Sequence, residues 1–362
     1  MNYLFAQAIS EICEHSLICP ERPLRCMIIM NPIAGGFYIK TRWEAHLKTL
    51  ERYREIARNN PRRQLYKNVI VNITEGKGSA TEIAKGFIER SAKDAVPFYL
   101  IISGGGDGTH REVMDSLFNA PAHILRTMAV LRLPMGTGND GADSNQLSGA
   151  LDLLLNPTHI ESAPAVQLSL NKSGPANWKG PFNAYNICSV GLDAYVTHMT
   201  NTMKGKVAGD SYKFWVDMAA LSYHKKYKVD FFDVKGLDKS NKETISFREK
   251  LLLLAMGVTG HRTYGSQQLI LPDDRNACGI KNMSLLGKLR IKRQVKKGKH
   301  IKNRSAFIFN AHRLEFTCKH EILAQMDGET VLLQPEDFPA VMELTEAKIP
   351  LLKLDSEKKN NK

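Results

Sequence analysis

Three short segments of this sequence carry residue types suited to binding phosphate. They are Asn31-Pro-Ile-Ala-Gly-Gly36, Gly104-Gly-Gly-Asp-Gly-Thr109 and Pro134-Met-Gly-Thr-Gly-Asn-Asp140. Glycine lets the backbone approach an anion closely and turn its N–H groups toward it. Thr109 and Thr137 can donate hydroxyl hydrogen bonds to phosphate oxygens. Asp107 and Asp140 can hold Mg2+ directly or through water, or position a substrate. One such loop alone is more often only a turn. Three of them, two carrying aspartate, point to phosphoryl chemistry.

Each loop follows an apolar run that reads as a buried strand: Arg25–Met30, Pro97–Ile102 and Met128–Leu133. Asn68–Ile73 reads as a further strand. Helical periodicity spans Thr41–Arg58, Ser79–Ser91 and Thr109–Phe118. Strands alternating with helices imply βαβ units and a parallel sheet. In such a sheet, ligands bind beyond the carboxyl ends of the strands, where all three loops would meet. The helix beginning near Thr109 would add its positive dipole end.

After about residue 160 strand-like runs follow one another: Val166–Leu170, Phe182–Val190, Lys226–Phe232, Lys250–Val258, Leu269–Leu271, Phe307–Asn310, Leu314–Cys318, Ile322–Met326 and Val341–Leu344. One helix, Ser211–Tyr223, interrupts them. The expected architecture is therefore an α/β N-terminal domain with a parallel sheet, then a mostly antiparallel β domain. The expected boundaries are an extension over 1–24, an α/β domain over 25–158, a β-rich domain over 159–350 and a polar tail over 351–362.

Composition narrows the partners. The 362 residues carry a formal net charge of +13, which favours anionic partners. The six cysteines form no CxxC pair and no zinc spacing, which points to a reducing cytosol. The N-terminus is a poor signal peptide, and no apolar run approaches the ~18 residues of a membrane span. No Gly-Lys pair is followed by Ser or Thr, so a Walker A loop is absent. The first strand-to-helix turn lacks the GxGxxG dinucleotide fingerprint. Lys288–Arg304 is densely basic. It reads as a docking patch for anionic phospholipid headgroups or as a strand edge blunted by lysines. It has no interleaved aromatics to stack bases, which argues against nucleic acid. Phe214, Trp215, Met218 and Leu221 form a near-helical stripe, mostly core. Asp327-Gly328 by itself reads as a hairpin turn.

In combination the three loops resemble the diacylglycerol kinase catalytic-domain family, which includes soluble bacterial diacylglycerol kinases and sphingosine kinases. NPIAGG, GGDGTHREV and LPMGTGND match its phosphate loops. Ser189–Ala194, Gly298-Lys-His300 and Asp327-Gly-Glu329 match motifs further on. The resemblance runs from about Arg25 to Pro350. It implies a two-domain fold with ATP and Mg2+ in the cleft between the domains. It implies a nucleotide site of Asn31, Gly35, Thr74, Gly105, Gly106, Gly108, Thr109, Glu112, Gly136, Thr137, Gly138, Asn139 and Glu329. Asp107 and Asp327 would be catalytic, Asp327 as the base that takes the proton from a lipid hydroxyl. Asp140 and Asp193 would contact the lipid.

The implied activity is transfer of the ATP γ-phosphoryl group to a membrane-derived lipid. Diacylglycerol comes first and a sphingoid base next. The alternatives are an NAD kinase-like phosphotransferase and a catalytically silent lipid or nucleotide sensor. The implied location is cytoplasmic, peripheral on the inner face of the membrane, and a homodimer is open. The chain departs from the family at Arg111, where Asn is usual, and at Cys278-Gly279, where Asp-Gly is usual. It also has no acid between Glu161 and Asp193. The metal ligands are therefore unassigned.

Overall fold

The computed structural model describes residues 2–60, 67–171, 180–203, 223–224, 226–265 and 267–354. The chain forms two compact units, Met1–Ala163 with Ala347–Lys362, and Pro164–Glu346.

In the first unit β1 (Leu24–Met30), β2 (Lys67–Ile73), β3 (Phe98–Gly105) and β4 (Met128–Pro134) run parallel in the order β2-β1-β3-β4. Every residue of β3 and β4 is buried. Continuous apolar strands of this kind belong to parallel sheets covered on both faces. The intervening helices are Lys40–Arg58, Ser79–Ala92 and Asp107–Phe118, with Leu147–Leu155 after β4. β5 (His159–Ala163) and the last strand, β19 (Ile349–Lys353), complete the sheet. β19 is parallel to β4, and β5 is antiparallel to β19. The chain thus divides at Ala163/Pro164 rather than at 158/159, and residues past Glu346 return to the first unit.

Residues 1–24 do not stand apart. Asn2–Glu14 is a helix whose Phe5, Ile9 and Ile12 are fully buried at i, i+4 and i+7. Phe5 meets Phe37 edge-on at 5.0 Å, and Glu11 pairs with Arg54 and Arg58 at 2.7 Å each. Ile9→Ala is expected to cost about 2–5 kcal/mol, read as a lower midpoint in chemical denaturation.

The second unit contains β6 (Val166–Ser169), β7 (Phe182–Ala184), β8 (Ile187–Gly191), β9 (Phe231–Leu237) and β10 (Glu243–Gly257). It continues with β11 (Arg262–Tyr264), β12 (Gln268–Leu271), β13 (Ala277–Lys281) and β14 (Ala306–Phe309). The last four are β15 (Arg313–Cys318), β16 (Ile322–Met326), β17 (Glu329–Leu333) and β18 (Ala340–Leu344). The antiparallel sheet runs β17-β16-β8-β10-β9-β15-β18-β6-β7, with β13 on β10 and β14 on β13. β11 and β12 form a hairpin.

Several details differ from the sequence expectation. Phe182–Val190 is two strands, and the strand expected from Lys226 begins at Phe231. The run at Lys250 is the second half of β10, whose first half alternates between exposed and part-buried residues. Ser189–Ala194 leads from β8 into the helix Leu192–Met203. Lys288–Arg304 is no strand edge but the helix Leu285–Lys296 and a short 3-10 turn, Lys299–Lys302. The helix expected at Ser211–Tyr223 lies outside the described residues, Tyr223 excepted. The tail from 355 lies outside them too.

Candidate functional site

The parallel register sets Met30 level with Ile73 and Gly104, and Gly104 level with Leu133. Asn31, Thr74, Gly105 and the loop after Pro134 therefore leave the sheet at one edge. The order β2-β1-β3 places the loops after β1 and β3 side by side, where connections depart in opposite directions and open sheets bind ligands.

Hydrogen bonds lock the three loops together. Asn31 donates its backbone N–H to Gly104 O (2.9 Å) and its side-chain Nδ2–H to Thr109 Oγ1 (3.1 Å). Gly36 N–H donates to Met135 O at 2.7 Å. Gly141 N–H donates to Asp107 Oδ1 at 2.8 Å, and Gly136 N–H to Asn139 Oδ1 at 2.7 Å. Asn139 holds a left-handed φ of 60° to do so. A Cβ at Gly136 would lie 2.5 Å from Gly106 Cα, and one at Gly35 would lie 2.9 Å from Thr137 Oγ1. Glycine here is what lets backbone touch backbone.

The helix Asp107–Phe118 starts two residues before the expected Thr109, and Ser103–Gly105 belong to β3 rather than to a loop. Asp107 thus sits in the first turn, at the positive end of the helix dipole. Asp107 and Asp140 flank Gly138: a Cβ there would be 3.0 and 3.3 Å from their Oδ2 atoms. Among the described residues no three His, Cys, Asp or Glu side chains group closely enough to hold a metal alone. Two carboxylates are a donor set that suits Mg2+, which takes one or two protein carboxylates and completes its shell with phosphate and water.

One cation here carries no sequence motif. Arg42, in the first turn of Lys40–Arg58, directs Nη1–H to Gly136 O at 3.5 Å. The only local signal was a basic residue six positions after the first glycine loop. Glu112, in contrast, has its carboxylate occupied by backbone amides. Its carboxylate accepts N–H from Gly78 (2.9 Å), Ala80 (3.0 Å) and Thr81 (3.4 Å) and so caps the helix Ser79–Ala92. That anchors the segment running on from Thr74. Glu112→Ala would leave these donors without their acceptor and is expected to cost about 1–3 kcal/mol in thermal unfolding.

Beneath the second loop His110 is buried, its Nδ1 2.8 Å from Ser103 Oγ. Burial, and secondarily the Arg132 guanidinium, lowers its pKa to about 3. Arg132 itself is buried and forked onto Asp143, with Nη2–Oδ1 at 2.6 Å. Because the folded chain binds this proton less readily than the unfolded one, stability is full above the ordinary histidine range. It falls as pH drops from about 6.5 toward 3, by up to about 1.4 kcal/mol per pH unit. Urea unfolding of wild type and His110→Gln across that window tests this: the variant is expected to lose most of the slope.

In the second unit Asp327-Gly328 is the two-residue turn between β16 and β17, with Met326 paired to Glu329. Both turn residues have positive φ, 48° and 98°, the geometry Asp-Gly favours in tight hairpins. The Asp327 side chain is buried and accepts three consecutive amides. Tyr185 N–H donates to Oδ2, and Asn186 and Ile187 N–H donate to Oδ1 at 3.1 and 3.0 Å. Successive N–H groups form a concave anion seat. Gln325, fully buried, ties this turn to Asp193. It accepts Gly328 N–H (3.1 Å) and donates to Ser189 Oγ (2.8 Å) and Asp193 Oδ2 (3.3 Å). Glu329 opens β17, half-buried. Cys278 is fully buried within β13 and its thiol is pushed up to about 12 by burial. The Phe307 ring covers Gly279, 2.4 Å from where a Cβ would stand. An aspartate at 278 would place a charge in this core. His300 of the Gly-Lys-His motif is likewise buried, with Nε2 3.0 Å from Ile270 O, so it braces the fold.

A family model for the diacylglycerol kinase catalytic domain matches residues 25–165, the segment that contains all three loops. The chain is 26% identical over 232 residues to a "Probable lipid kinase YegS-like" of Pseudomonas fluorescens (strain Pf0-1), covering 63% of this chain and 64% of that protein. It is 26% identical over 249 residues to a protein of the same description from Yersinia pestis (strain Pestoides F), covering 68% and 76%. A Bacillus anthracis str. Sterne diacylglycerol kinase structure shares the fold, with TM-score 0.52, 15% identity and coverage of 92% and 97%. The chain is thus similar to proteins described as lipid kinases. Among the described residues, no helix is long and apolar enough to cross a membrane.

Proposed function

We propose that this chain is a lipid kinase that transfers the γ-phosphoryl group of ATP to a hydroxyl of a membrane-derived lipid, diacylglycerol before a sphingoid base. The observation that carries the proposal is the convergence of three interlocked glycine loops at one sheet edge, with two carboxylates and one guanidinium beside them. Phosphoryl transfer needs positioning and charge neutralisation more than covalent chemistry. In this reading the backbone N–H groups of Gly105–Thr109 and Gly136–Asn139 cradle the phosphates. The Asn31 side chain donates to Thr109 Oγ1, which directs the Thr109 O–H elsewhere, toward a phosphate oxygen. Arg42 neutralises phosphate charge. Asp107 and Asp140 would hold Mg2+, which supplies further neutralisation when bound.

Asp327 takes the proton of the lipid hydroxyl as that oxygen bonds to the γ-phosphorus and the bond to ADP breaks. Asp193, with Ser189, and Glu329 lie in the same unit as this base and are assigned to the lipid head and to the nucleotide or metal respectively. Arg42→Ala is expected to raise the KM for ATP about tenfold with a smaller effect on kcat. Steady-state kinetics in mixed micelles reads this. The proposal itself is tested with ATP, Mg2+ and separate diacylglycerol, sphingoid base and NAD samples, each product weighed by mass spectrometry. A phosphorylated lipid supports it, and a phosphorylated NAD overturns it.

A further inference from the structure

We propose that the helix Leu285–Lys296 and the turn after it form a surface that docks on an anionic lipid bilayer. One face of the helix serves its own unit. Lys288, Ile291 and Val295 are buried at i, i+3 and i+7, the two apolar ones in a cluster with Ile270, Leu271 and Ile280. The rest of the helix is turned to solvent and has two chemistries. Leu286 is 80% exposed, with Leu285 and Leu289 also exposed, and Ile301 is exposed in the following turn. Arg290, Arg293, Lys297 and Lys299 stand around one open depression together with Leu286 and Leu289. No acidic residue occurs between Asp274 and Glu315. Among the described residues, none of those four cations is in ion-pair contact with a carboxylate.

The pairing of chemistries selects the partner. Leu286, Leu289, Arg290 and Arg293 follow i, i+3, i+4 and i+7 and so share one stripe. A nucleic acid or an acidic protein surface would engage the cations and leave the leucines in water. An anionic bilayer satisfies both. Leucines enter the boundary between headgroups and acyl chains, while arginine and lysine reach lipid phosphates on their long stems. A basic cluster of this density draws protein to an anionic leaflet additively, residue by residue. The surface goes beyond the phosphotransfer reading and stands without it, since none of these residues belongs to the loops or to the Asp327 turn.

The test uses the full chain and no ATP. Vesicles of phosphatidylcholine alone, and of phosphatidylcholine with phosphatidylglycerol in equal parts, are floated with wild type, with Arg290→Glu/Arg293→Glu and with Leu286→Asn/Leu289→Asn. Binding is expected only to the anionic vesicles. It is expected to fall roughly tenfold or more in the charge-reversed variant, and roughly tenfold in the leucine variant, whose charge is unchanged. Unchanged melting temperatures confirm that both variants fold, as their exposure dictates. Three results would overturn the proposal: equal binding to neutral vesicles, no binding, or wild-type binding by the leucine variant. The last, together with equal affinity for RNA, would mark a general polyanion surface. Activity on lipid in detergent micelles is scored separately, so loss of the docking result leaves the kinase reading standing, and the reverse.

Discussion

Asp327→Asn is expected to lower lipid phosphorylation by about 10²–10⁴, the span a positioned general base contributes. The substitution keeps size and the left-handed turn, which Asn tolerates. It replaces a carboxylate oxygen with an N–H2 group facing the amides of Tyr185, Asn186 and Ile187, which are themselves donors. One donor is then left without an acceptor, at a cost of about 1–3 kcal/mol. The two consequences are separable. Asp327 belongs to the second unit and the glycine loops to the first, so ATP affinity is expected to hold while kcat collapses in protein that is still folded. Calorimetric ATP binding and turnover per folded molecule, measured together, decide it. Lowered stability with near-normal turnover would reduce Asp327 to an anchor of the hairpin, and the base would have to be sought elsewhere.

Gly136→Ala is the second large expectation. The added methyl carbon would sit 2.5 Å from Gly106 Cα and 3.0 Å from Asn139 Oδ1. The first neighbour is backbone and cannot swing aside. The second and third glycine loops must part, at a cost of about 1–3 kcal/mol, which is expected to appear as roughly a tenfold to hundredfold loss of ATP affinity. Gly86→Ala serves as the control. A Cβ there meets nothing within 4 Å in the helix Ser79–Ala92, and the change is expected to add about 0.5–1 kcal/mol of stability. Titration of ATP into both variants reads the contrast. Equal affinities would mean that the packed loops are not the nucleotide site.

What the sequence displayed was what local physics determines. Buried parallel strands are continuous apolar runs, and glycines end them, so β1, β3, β4 and their loops are plain from the order of residues alone. Asp327-Gly328 announced its turn because two adjacent positive φ angles demand such residues. What stayed hidden depends on partners distant in the chain. β19 lies between β4 and β5 in the first sheet, yet Ile349–Lys353 looks like any short apolar run until those strands are beside it. The helix Asn2–Glu14 reads as an extension in the sequence because its apolar stripe has meaning only against Phe37 and the rest of the core. Lys288–Arg304 did not read as helix because only Ile291 and Val295 of its apolar residues face inward. Glu112 falls within a matching motif that implies a nucleotide contact. Only its three amide partners, more than thirty residues upstream, reveal a helix cap. Arg42 carried no motif, and its place beside Gly136 follows from how its helix packs after the first loop.

The central claim is tested most directly by following the phosphorus. The full chain is incubated with γ-labelled ATP, Mg2+ and diacylglycerol in mixed micelles, and the mixture is partitioned between organic and aqueous phases. The account predicts label in the organic phase as a phosphorylated lipid, increasing with time and dependent on the enzyme. Label confined to the aqueous phase, with ATP bound and any candidate lipid unmodified, would contradict it.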